Sequence, residues 1–121
     1  MIGIQIANIT QLLRKYEDRP RDVIGAVSTA IKKSVYLLER ASKEALTTGW
    51  TRAIRTGRLR AETKVQDVQP LKGSVYSNVN YAVYVHEGTY KMRERPYFRV
   101  AADKSRPDIK RIFEGEISKV L

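Results

Sequence analysis

A chain of 121 residues with 42 % hydrophobic and 30 % charged side chains fits one ordinary folded domain and lies outside the composition of disordered polymers. It contains no cysteine and one histidine, which excludes a disulfide framework and leaves zinc or haem without a ligand set. Its 23 lysines and arginines against 13 acids give a formal charge of +10, a surface suited to an acidic protein neighbour, to nucleic-acid phosphate or simply to solubility.

The N-terminus alternates Ile2, Ile4 and Ile6 with Gly3, Gln5 and Ala7, the period of a half-buried strand. It has neither the basic start nor the continuous apolar run of a signal peptide, and nowhere do about 18 apolar residues run together, so no membrane partner is expected. Asn8 is placed to cap a short helix over Ile9 to Tyr16, ending before Pro20.

Pro20 suits the first turn of a second helix, and Asp22 complements its positive end. Ile24, Val27, Ile31, Ser34, Leu38, Ala41 and Ala45 then recur at three- and four-residue spacing, with Val23, Ala30, Val35 and Leu37 widening the stripe. The spacing predicts one long helix from Arg21 to Thr47, with a Glu39–Lys43 ion pair on its side and Gly49 as its stop. The following segment to Arg60 reads as a loop and carries Arg52, Arg55, Arg58 and Arg60 with no acid.

Ala61 to Val68 and Ser74 to Val79 alternate as strands around a turn at Pro70, Leu71, Lys72 and Gly73, predicting an antiparallel hairpin that needs the long helix to cover one face. Tyr81 to His86 is compatible with a strand or a short helical turn, and Pro96 to Val100 reads as extended. Ile109, Ile112, Phe113, Ile117 and Val120 predict a C-terminal amphipathic helix with Pro107 in its first turn. The fold class expected is α+β, one domain over residues 1–121, with the two helices packed on a small antiparallel sheet.

Reactive chemistry finds little to stand on. Glu17 and Asp18 close a helix, Glu114 and Glu116 point to different sides, and the seven glycines form no phosphate loop. His86 has Ser74, Ser77 and Glu87 nearby in sequence, but there is no Gly-x-Ser-x-Gly elbow to present a nucleophile. No catalytic, cofactor or metal site is assigned.

Three motifs in order carry more information: Thr56-Gly57-Arg58-Leu59-Arg60, then Asn80 to Thr89 (Asn-Tyr-Ala-Val-Tyr-Val-His-Glu-Gly-Thr), then Met92-Arg93-Glu94-Arg95-Pro96-Tyr97-Phe98. With the hairpin between the first two and a long helix in front, this pattern resembles the tail-completion, or head-to-tail joining, family of minor proteins in long-tailed siphophages. It covers the chain from about Arg52 to the C-terminus and departs from the family after Phe98, where a further Pro-Ala is usual and this chain has Arg99-Val100-Ala101-Ala102.

The resemblance implies a non-enzymatic virion protein of the neck, assembled in the host cytoplasm as a homo-oligomeric, hexameric ring. Its neighbours would be the head-closure (stopper) protein and a tail-terminator or tail-tube protein, with DNA possible in the lumen. The expected contact surface is Tyr81, Tyr84, Val85, His86, Glu87 and Thr89 together with Arg93, Arg95 and Pro96. Gly57 and Gly88 are expected to supply turns, and Arg52, Arg55, Arg58 and Arg60 to face DNA or an acidic partner. The competing reading is a small basic nucleic-acid-binding protein, supported by the charge and the arginine-rich loops.

Overall fold

In the computed structural model, which describes residues 2–6, 20–49, 58–69, 71–77, 79–90 and 93–120, helices pack on a small antiparallel sheet. The order is β1 (Ile2–Ile6), α1 (Pro20–Thr47), α2 (Arg58–Ala61), β2 (Thr63–Gln69), β3 (Lys72–Ser77), α3 (Ala82–Glu87) and α4 (Tyr97–Ser118). The short helix expected over Ile9 to Tyr16 lies outside the described residues.

Among the described residues three strands run in the order β1-β3-β2, so the hairpin pairs as expected and the N-terminal strand joins its far side. Ile4, Val75 and Val65 stand in one register row facing the core, whereas Gly3, Tyr76 and Lys64 form a row on the opposite face. The hairpin differs from expectation at both ends. Ala61 closes the single turn of α2 instead of opening a strand, and Lys72 and Gly73 already pair in β3, which shortens the turn. Leu59 explains the first difference: it is buried in the core, and the Thr63 hydroxyl donates to its carbonyl at 2.7 Å, closing the turn before the strand begins.

Helix α1 spans 28 residues, about 42 Å at the usual rise, and ends where Gly49 adopts a φ of +76°. Its buried face runs through Val23, Val27, Ala30, Ile31, Ser34, Val35, Leu38, Ser42 and Leu46. That face is rotated from the expected stripe: Ile24 is exposed and Ala41 and Ala45 are half-buried. The helix must cover both the sheet and α4, so two adjoining contacts set its rotation.

Glu39 does more than pair with Lys43 at 3.6 Å: its second carboxylate oxygen accepts the Val65 backbone N–H at 2.7 Å. Gln66 is left without a register partner between Val65 and Asp67, and this bulge leaves an N–H for α1 to satisfy. Glu39→Ala is expected to lower stability by about 1.5–3 kcal/mol, the range for a charge-assisted bond to a partly buried donor. Urea unfolding measures the loss, and Glu39→Gln should recover part of it.

Helix α4 corrects two expectations. Pro96 to Val100 is not extended; the helix begins at Tyr97 directly after Pro96, whose φ of −76° suits helix entry. Pro107 therefore sits inside the helix, where it removes one internal bond. The helix continues because Phe98, Ala101, Ser105, Ile109, Phe113 and Ile117 hold one face against the core on both sides of Pro107, whose own ring is exposed.

Lys33 of α1 bridges to Glu116 of α4; its hydrogen bond, helped by Lys119, keeps the Glu116 carboxyl below the usual glutamate range against some desolvation. A depressed folded-state value contributes stability that is present at neutral pH and lost as pH falls through the carboxylate range. Glu116→Gln should therefore flatten the acid limb of stability measured from neutral pH downward.

Candidate assembly surface

Helix α3 has only six residues, too few to hold itself together in water. Its position comes from inward anchors and backbone ties. Ala82 and His86, four apart and hence on one face, are buried, and the Ala82 N–H closes on the Val79 carbonyl at 3.0 Å. His86 lies edge-on to Tyr97 with ring centroids 5.3 Å apart and is tilted against Phe98 at 5.9 Å, locking α3 to the start of α4.

The His86 Nδ1 contacts the Glu87 carboxylate at 2.6 Å. Because that oxygen can only accept, Nδ1 carries a proton, and the buried Nε2 has no partner. The Ser77 hydroxyl accepts the Val79 N–H at 3.3 Å. Among the described residues no group of three or more His, Cys, Asp or Glu is placed to hold a metal ion, and no described helix is long and apolar enough to cross a membrane.

The outward face of α3 and the segment after it are apolar and open. Tyr81 is 39 % exposed, Val83 37 %, Tyr84 58 % and Tyr90 94 %. Gly88 terminates the helix with φ +78° and ψ 174° while its N–H donates to the Tyr84 carbonyl at 2.8 Å. Further on, the Arg95 N–H donates to the Val85 carbonyl at 2.9 Å, tying Arg95 to α3.

Most of the residues expected on a contact surface therefore gather here: Tyr81, Tyr84, Glu87, Thr89, Arg93 and Arg95 are exposed and Val85 is half-buried. His86 and Pro96 require correction, because both are buried within the subunit and support the surface from beneath. Val83 and Tyr90 belong to the patch and were missed. Tyr90 falls just past the glycine-marked helix end, a position whose sequence signal was available, whereas the exposure of Val83 depends on which side of α3 meets Tyr97. Arg58 and Arg60 are exposed on α2, away from this helix in the chain; Arg52, Arg55 and Gly57 lie outside the described residues. No family model, curated protein or solved structure matches this chain.

Tyr97 lies below the surface with its hydroxyl buried and unpartnered. Burial, and secondarily the neighbouring Tyr81, pushes its ionisation well above the ordinary tyrosine value. A raised folded-state value means that stability holds up to about pH 10, the unfolded-chain value, and falls as pH rises beyond it. Tyr97→Phe deletes the orphan hydroxyl while keeping the ring, so it should cost nothing at neutral pH or gain about 1 kcal/mol. The same variant should show a shallower alkaline loss in thermal melts across pH 9 to 12.

Proposed function

We propose that this chain is a non-catalytic structural subunit of a long-tailed bacteriophage virion, forming a ring in the neck between the DNA-filled head and the tail. The observation that carries this reading is the α3 surface: half of the exposed large hydrophobic side chains of the described residues, Tyr81, Val83, Tyr84 and Tyr90, crowd into ten residues. Clustered exposed aromatics of this kind mark protein contact sites, since isolated exposed apolar residues are ordinary and a group of them is not. The order of the three sequence motifs supplies the phage context, and Tyr81, Val83 and Tyr84 of the second motif build the patch together with Tyr90 just beyond it.

In this reading copies of the chain meet through α3 and the loop tied to it by Arg95. The stopper on one side and the tail terminator or tube on the other complete the joint. Tyr84→Ser with Tyr90→Ser is expected to leave the folded chain intact by circular dichroism, because both side chains point to solvent. The same double variant should abolish higher-order species in native mass spectrometry and leave filled heads and separate tails in the phage. Normal particles carrying it would refute the assignment. A duplex-DNA affinity falling steeply with salt, with no self-association, would favour the nucleic-acid reading instead.

A further inference from the structure

We draw no further inference here: the strongest candidate, the apolar surface patch formed by Tyr81, Val83, Tyr84 and Tyr90 on and just after α3, belongs to the site already described, and nothing in the structure shows what covers it.

Discussion

Gly88→Val is expected to unfold α3 from the body of the subunit and, under the proposed neck role, to block head-to-tail joining. At φ +78° and ψ 174° the backbone occupies a region that only glycine enters without strain. A side chain there costs about 1–3 kcal/mol, and branching at Cβ places valine at the upper end. Relief of that strain would rotate the chain away from the geometry in which the Gly88 N–H closes on Tyr84. Since α3 is too short to persist alone, losing its terminus frees Tyr84 and Tyr90 from their common surface. Urea unfolding should show a midpoint lowered by a loss of about 3 kcal/mol. Under the proposed neck role, filled heads and unattached tails should accumulate in the phage. Replacement by D-alanine in a semisynthetic chain, whose backbone favours this region, should restore both properties. Infectious particles at normal yield from the valine mutant would contradict the role given to this turn.

Gly3→Ala is expected to detach the N-terminal strand, although a glycine in a strand would ordinarily be improved by alanine. Gly3 pairs with Tyr76, and a Cβ built on it runs into the Tyr76 Cβ and the Val75 carbonyl oxygen and comes within 2.7 Å of the Tyr76 Cα. None of these is the far end of a flexible side chain. Strand β3 cannot yield, because β2 pairs along its other edge and α1 packs against the core face. The strand β1 must therefore move, giving up the packing of Ile4 and Ile6 on the core. A loss of about 3 kcal/mol is the upper range of overpacking in a rigid site. Hydrogen exchange should locate it: protection at Ile4 and Ile6 should vanish while β2 amides, and the β3 amides that bond to β2, stay protected. Retained protection at Ile4 and Ile6 would show that the strands can separate enough to admit the methyl group.

The two variants probe different depths of reading. The turn at Gly88 is visible in the sequence, since a glycine closing an aromatic run predicts a positive φ. The crowding at Gly3 is not, because nothing in Ile2 to Ile6 says which strand lies alongside or how closely. The same division holds elsewhere. Helix α1 is legible because its apolar spacing persists over many turns, and the hairpin because alternation and a proline-marked turn coincide. The proposed contact surface is expected from the segments Tyr81 to Thr89 and Lys91 to Pro96, but the exposure of single residues is not legible there: His86 and Pro96 look like polar and loop residues and are buried.

What the sequence by itself determined is therefore the set of elements with a strong local period and the α+β class that follows from their order. The tertiary structure decided the rotation of α1, which places Ile24 outside and Ser42 inside. It also decided that α4 starts at Tyr97 and runs through Pro107, and which face of α3 is open. The reason is physical: periodicity is a property of neighbours along the chain, whereas burial depends on which surfaces arrive from elsewhere. A helix clamped at both ends by Phe98 and Ile117 can carry a proline that local propensity alone would have placed at its beginning.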